Sequence, residues 1–172
     1  MNAGAHGQDF GSVVRSVAVV TAAGDVEHRA GGTIPWQYRS SGLGAVVVVA
    51  AELALAEDDP RRLKAEVHQH LRWRKAGTPF NAPCCGSVFR NPDRPVSADG
   101  RELRTAGQLI DAAGLKGFTV GGAQVSPAHA NYIVNTGGAR ADDVRRVIDA
   151  VRARVAESFG VELQLEVQLV GR

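Results

Sequence analysis

Across residues 142–170 the hydrophobic period switches from that of a helix to that of a strand, and this switch restricts the folds open to the chain. Val144, Val147, Ile148, Val151 and Val155 fall on one stripe of a helix predicted over residues 142–159. Asp142 and Asp143 sit at its start, where the positive end of the macrodipole favours them, and Gly160 is its stop. Residues 161–170 then alternate as a strand. Val161, Leu163, Leu165, Val167 and Leu169 point to one face, and Glu162, Gln164, Glu166 and Gln168 to the other. Both apolar faces need cover, and each buried Val, Ile or Leu contributes about 1.5–3 kcal/mol before conformational entropy is charged. Helix and strand together, with the short elements of both kinds elsewhere in the chain, argue for an α+β architecture.

The rest of the chain supplies short elements of both kinds. Residues 1–11 are Gly-rich and read as irregular. Residues 13–20 are Val-rich and read as a strand, Gly24-Asp25 is a turn signal, and residues 26–29 can pair back as a hairpin. Residues 45–55 are almost continuously apolar, the pattern of a strand covered on both faces. Asp59 can cap a helix that has Pro60 in its first position, and Leu63, Val67 and Leu71 form one stripe of it. Gly77 and Pro79 end that helix. Residues 95–100 read as a polar connection. A short helix follows with Leu109, Ile110 and Ala113 on its apolar side and Gly114 at its end. Residues 123–126 and 132–135 read as short strands around Pro127. The boundary signal at Glu57-Asp58-Asp59-Pro60 divides the chain into residues 1–58 and 59–172.

Composition narrows the function. A net charge of +2 with 22% charged residues gives no basic stripe for nucleic acid and no patch for a membrane surface. The N-terminal residues MNAGAHGQDF lack the basic region and apolar core of a secretory signal, and residues 43–51 are too short to span a bilayer. The reading is a soluble, cytoplasmic protein. Cys84 and Cys85 are adjacent and cannot staple distant elements, so they are read as free thiols in a reducing compartment. His68 and His70, two apart on a helix, point to different faces, and no metal site is predicted.

The polar residues of Gly86-Ser87-Val88-Phe89-Arg90-Asn91-Pro92 stand out from this background. A hydroxyl, a guanidinium and an amide lie between a Gly that permits close backbone approach and a Pro that ends regular pairing. Such a segment suits an oxygen-rich ligand, and it also suits a plain surface turn. The wider wording decides between the two. MNAGAHG at 1–7, YRSS at 38–41, GSVFRNP at 86–92, AGQLIDAAGLKG at 106–117, GGAQVSPAHANYIVNTG at 121–137 and FGVELQLEVQLVG at 159–171 occur in one order. Together they resemble the UDP-N-acetylenolpyruvoylglucosamine reductases, flavoenzymes of peptidoglycan synthesis. One departure is large: in that family MNAG-like residues follow more than half of the flavin-binding region, whose Gly-Ser-Asn phosphate loop has no counterpart here. The chain resembles the second half of the enzyme.

The resemblance implies a remnant of an α+β flavin-binding domain over residues 1–58 and a C-terminal α+β substrate-binding domain over 59–172. The implied reaction is the NADPH-driven, FAD-dependent reduction of UDP-N-acetylglucosamine enolpyruvate to UDP-N-acetylmuramate. Hydride addition leaves an enolate-like anion, so the protein must stabilise negative charge and supply a proton. The resemblance assigns Ser87 as proton donor, Arg39 as the fork on the substrate carboxylate and Glu166 as the acid beside the reacting double bond. Tyr38, Arg90, Asn91 and Lys116 match positions that hold the substrate, although Arg90 replaces the usual lysine and changes the shape of the charge. Asn2, Ala3, Gly4, Ala5 and Gly7 match residues lying against the flavin. FAD is not expected to be retained by this chain without the upstream segment that carries the phosphate loop. Arg140 stands where a capping threonine is usual, which weakens the start of the long helix by about 1 kcal/mol. The other reading is a flavin-free module that binds a UDP-sugar, or an inactive fragment.

Overall fold

A computed structural model describes residues 1–98 and 100–171. It combines helices with several small antiparallel sheets in an α+β arrangement, and the chain divides into two compact units, Met1–Leu63 and Lys64–Arg172.

The first unit is built on a three-stranded sheet. Its central strand β3 (Val14–Val20) pairs antiparallel with β4 (Val26–Ala30) on one side and β5 (Val47–Leu53) on the other. The register between β3 and β5 slips at Arg15, where Val14 faces Leu53 and Ser16 faces Glu52. One extra residue reverses the alternation, so Val14 joins Val17 and Val19 on the buried face although its parity is opposite. Ile34 completes this core, with Trp36, Leu43 and Val46 packed against it. The chain leaves the sheet at Gly31, where an added Cβ would lie 1.9 Å from the Val14 carbonyl oxygen; only glycine allows that approach.

Two expectations for this unit need correction. The N-terminal residues are not irregular, because β1 (Gly4–Ala5) and β2 (Gln8–Asp9) form a small hairpin across His6-Gly7. The Asp9 side chain then accepts the Ser12 N–H at 3.0 Å and caps the 3-10 turn Phe10–Val13. The other correction concerns β5, which is exposed along all of its 7 residues despite its apolar run. It is an edge strand of a three-stranded sheet, paired on one side only.

Helix α1 (Pro60–Gly77) leads from the first unit into the second. Asp59 caps it as the sequence predicts, its Oδ1 accepting the N–H groups of Arg61 and Arg62 at 2.7 and 3.0 Å. The stripe of Leu63, Val67 and Leu71 stays exposed, so the helix is specified by its cap and local propensity and buries no side chain fully.

The second unit has one continuous core. Strands β8 (Thr119–Val120), β9 (Ala123–Val125) and β10 (Ile133–Asn135) form an antiparallel sheet in the order β10-β9-β8. Helix α3 (Ala141–Phe159) supplies Val147, Ile148, Val151 and Val155, and helix α2 (Ala106–Ala112) supplies Leu109 and Ile110. Ala123, Val125, Ile133, Val88, Phe89 and Leu163 fill the same core. Residues 95–100, read as a plain connection, instead contribute β6 (Val96–Ala98), which pairs with β7 (Arg101–Leu103). Strands of three residues with one buried anchor, Leu103, leave little periodic signal.

Helix α2 starts in a capping box. The Thr105 hydroxyl accepts the Gln108 N–H at 3.2 Å, and Gln108 Oε1 accepts the Thr105 N–H at 3.1 Å. At the start of α3, Arg140 provides no side-chain cap, as its chemistry dictates, and Asp143 compensates by accepting the Arg140 N–H at 3.0 Å. That bond holds the Asp143 carboxyl below its ordinary 3.8.

The last expectation to fail is the continuous strand over 161–170. Leu163 is buried and Leu165 makes a single bridge to Phe89, but the chain bends at Glu166-Val167, and Leu169 and Val170 are exposed. Among the described residues, no helix is long and apolar enough to cross a membrane, and no group of three or more His, Cys, Asp or Glu residues is placed to hold a metal ion.

Candidate functional site

Residues 84–90 run as an extended segment held on both sides. Upstream, the Asn135 N–H donates to the Pro83 carbonyl at 2.9 Å, and Cys84 bridges antiparallel to Val134. Downstream, the Val88 N–H donates to the Asn131 carbonyl at 2.9 Å. The Asn131 side chain then closes on Phe89: its Oδ1 accepts the Phe89 N–H at 3.0 Å and its Nδ2 donates to the Phe89 carbonyl at 2.8 Å. On the opposite side the Arg90 N–H donates to the Gln164 carbonyl at 2.8 Å. Val88 and Phe89 are buried, which anchors the segment in the core, while Ser87 is half-buried. Gly86 turns the chain into this position with φ of +87°, a conformation a Cβ would strain.

The bend at the end of the chain belongs to the same site. The Glu166 N–H donates to the Val88 carbonyl at 2.8 Å, and the Val167 N–H reaches that oxygen at 3.4 Å. Glu166 thus hangs from the residue next to Ser87, half-buried, rather than standing in the middle of a solvated strand face. A single backbone carbonyl, that of Val88, ties Glu166 to the residue that follows Ser87, 79 positions earlier in the numbering.

The same unit carries further groups suited to an anion. Arg90 is half-buried, and its Nε has no hydrogen-bond partner among the described residues. Asn91 has a structural duty: its Oδ1 accepts the Ala106 N–H at 3.1 Å, adding a second cap to α2 beside Thr105. Lys116 sits in the loop after α2, its Nζ 2.7 Å from Asp111 Oδ2, with both side chains partly exposed.

Two residues that carry much of this site escaped sequence reasoning. Asn131, buried among apolar neighbours, is the clamp on the Ser87 loop; a polar residue inside the apolar run Ala130-Asn131-Tyr132-Ile133 was the available signal. His129 is the other. Its Nδ1 accepts the Asn131 N–H at 3.2 Å, its ring stands edge-on to Tyr132 at 4.7 Å, and a Cβ on Gly107 of α2 would come within 3.2 Å of it. Burial pushes the imidazole below its ordinary 6.5, and the Lys116 charge pushes it the same way. With Nδ1 accepting, the neutral ring carries its proton on Nε2.

The remaining predicted residues lie in the first unit. Gln37 and Ser40 exchange N–H···O bonds at 2.9 and 3.1 Å, closing a tight turn that carries Tyr38 and Arg39. Arg39 adopts a left-handed backbone, φ +57°, and its guanidinium lies 5.0 Å from the centre of the Tyr38 ring. Asn2 is buried, with Oδ1 accepting the Gly11 N–H at 2.7 Å and Nδ2 donating to the Gln37 carbonyl at 3.2 Å. It therefore ties the N-terminus to the Tyr38-Arg39 turn. Ala3, Gly4, Ala5 and Gly7 are exposed in and around the small hairpin.

Comparison with known proteins bears on this arrangement. The family described as "UDP-N-acetylenolpyruvoylglucosamine reductase, C-terminal domain" matches residues 78–170, which include the Ser87 loop, Asn131 and Glu166. The chain belongs to that family. It is 40% identical over 175 residues to a UDP-N-acetylenolpyruvoylglucosamine reductase of Anoxybacillus flavithermus, covering 100% of this chain and 55% of the relative. A reductase of the same name from Heliobacterium modesticaldum is 44% identical over 173 residues, covering 99% and 52%. The crystal structure of UDP-N-acetylenolpyruvylglucosamine reductase from Thermus caldophilus superposes with a TM-score of 0.80 at 32% identity, covering 98% of this chain and 57% of that one. The chain spans about half the length of the curated relatives it matches.

Proposed function

We propose that this chain carries the substrate-reducing machinery of a UDP-N-acetylenolpyruvoylglucosamine reductase of peptidoglycan synthesis, acting on UDP-N-acetylglucosamine enolpyruvate with FAD and with NADPH as reductant. The observation that supports it is the bond from the Glu166 N–H to the Val88 carbonyl, which ties the backbone of the candidate acid to the residue next to Ser87 on a clamped loop.

In this reading the flavin supplies hydride when bound. Ala3, Gly4, Ala5 and Gly7 would lie against it: they are exposed and carry nothing longer than a methyl. Asn2 acts there through its bonds to Gly11 and Gln37, shaping the turn rather than presenting its amide. Arg39 meets the carboxylate of the enolpyruvyl group and offsets the charge that develops on it. Ser87 delivers the proton, and its position does much of the work, because a hydroxyl is a weak acid. Glu166 assists that transfer. Arg90, Lys116 and the neutral His129 face the nucleotide-sugar, with Asn91 holding the α2 terminus in place and Tyr38 positioning Arg39.

The test joins this chain to the upstream segment of a full-length relative. Stopped-flow absorbance then reads flavin reduction by NADPH and reoxidation by the enolpyruvyl substrate. Ser87→Ala should leave the first rate nearly unchanged and slow the second by about 10²–10⁴-fold, the usual contribution of one positioned acid. Ser87→Cys should recover part of the loss, since a thiol is the stronger acid. Equal slowing of both rates would show that Ser87 only supports the flavin site. A parallel reading, a UDP-sugar-binding module, draws on the presence of Arg90, Lys116 and His129 within one unit. Calorimetric binding of UDP-N-acetylglucosamine by the 172-residue chain in the absence of flavin would favour it.

A further inference from the structure

We propose that Cys84 and Cys85 form a chelating dithiol site for a trivalent arsenical. The proposal goes beyond the reductase reading and does not depend on it. Both thiols are reduced and exposed, on neighbouring residues. The peptide between them is trans, so their Cα atoms stand about 3.8 Å apart. That is shorter than the roughly 4.4–6.8 Å usual for a disulfide, so a direct S–S bond would be strained. A bridging arsenic atom lets the two sulfurs stand further apart and removes that obstacle.

The fold keeps this pair in the open. Cys84 is fixed by its bridge to Val134 and by the neighbouring bond from the Asn135 N–H to the Pro83 carbonyl. Downstream, the Val88 N–H is tied to Asn131. Cys85 lies in the short span between these two clamps, before the Gly86 turn, and both cysteines are exposed. Loss of water around the Cys85 sulfur, with the adjacent Cys84 acting in the same direction, keeps the thiol above its ordinary 9.0. It therefore remains a thiol at neutral pH, which slows oxidation through the thiolate. Condensation with an arsenical needs no oxidant. Phenylarsine oxide reacts with two S–H groups to form two As–S bonds; the As=O bond and both S–H bonds break, one water leaves, and arsenic stays trivalent.

The test uses the whole 172-residue chain, phenylarsine oxide and intact-mass spectrometry. The expected product carries one phenylarsenic group, survives excess 2-mercaptoethanol and is released by a small dithiol. Cys84→Ser and Cys85→Ser, conservative changes at exposed positions, should each lower the monothiol concentration needed for release by about 10²-fold or more, because the second As–S bond becomes intermolecular. The double variant should carry no adduct. Release from the unaltered chain at the same monothiol concentration as from either single variant would overturn the proposal, as would a retained adduct on the double variant. Circular dichroism of each variant checks that the fold persists.

Discussion

Replacing Asn131 with Ala should unfasten the Ser87 loop, and the structure sets the size of the effect. The side chain makes two hydrogen bonds, at 3.0 and 2.8 Å, to the N–H and carbonyl of Phe89. Phe89 is 2% exposed and Asn131 4%, so water does not replace either bond readily. Each buried backbone group left unpaired costs about 1–3 kcal/mol, giving about 2–6 kcal/mol for the two together. The carbonyl of residue 131 keeps its bond to the Val88 N–H, which limits the loss to the side chain's share. Urea unfolding of the Lys64–Arg172 unit, followed by circular dichroism, should show a lower midpoint with an unchanged slope. Asn131→Asp should not rescue it, because a carboxylate facing the Phe89 carbonyl has no proton to give. The control is Asn135→Ala, whose side chain serves the Gly137 and Ala139 N–H groups in an exposed turn and whose loss should cost less. A change below about 0.5 kcal/mol for Asn131→Ala, the range of ordinary surface substitutions, would refute the clamp.

The His129 environment gives a pH signature. Its folded pKa lies below the ordinary 6.5, so below that pH the unfolded chain binds more protons, and stability falls as pH drops through about 6.5. His129→Gln should flatten this part of a melting-temperature profile between pH 7 and 5, and an unchanged profile would assign the slope to other groups. In the first unit, Gly31→Ala places a methyl on the Val14 carbonyl and should destabilise by about 1–3 kcal/mol, the usual cost of overpacking. Trp36 Nε1 donates to the Gly31 carbonyl at 3.0 Å, so its indole N–H resonance should move; a stationary signal would contradict the packing.

Local rules made much of the chain legible. Asp59 and Pro60 marked the start of α1, the stripe from Val144 to Val155 marked α3, and Gly24-Asp25 marked the β3–β4 turn, because each signal lies within one or two turns of backbone. The failures share a different cause. The alternation of residues 161–170 is interrupted at Glu166 because a carbonyl from residue 88 captures two successive N–H groups, an event decided by distant sequence. Val14 reaches the core only through the bulge at Arg15, which depends on what β5 pairs with. Site residues followed the same division. Ser87 and Glu166 stand out as candidates by the wording of their motifs, whereas Asn131 acts on a segment 42 residues away and gives little local sign of it.

The site's geometry follows from that long-range clamp. Val88 lends its N–H to the Asn131 backbone and its carbonyl to Glu166, so both candidate acid groups take their places from one dipeptide, Val88-Phe89. Because that dipeptide is buried, Ser87 cannot shift without moving core atoms, and Glu166 cannot shift without breaking a 2.8 Å bond. A hydroxyl that is weak as an acid gains most from being held still, since positioning rather than acidity then sets its contribution. Asn131 is therefore a positioning residue for the proposed chemistry. In the chimera, a destabilised but folded Asn131→Ala protein should slow reoxidation of the flavin by substrate more than its reduction by NADPH.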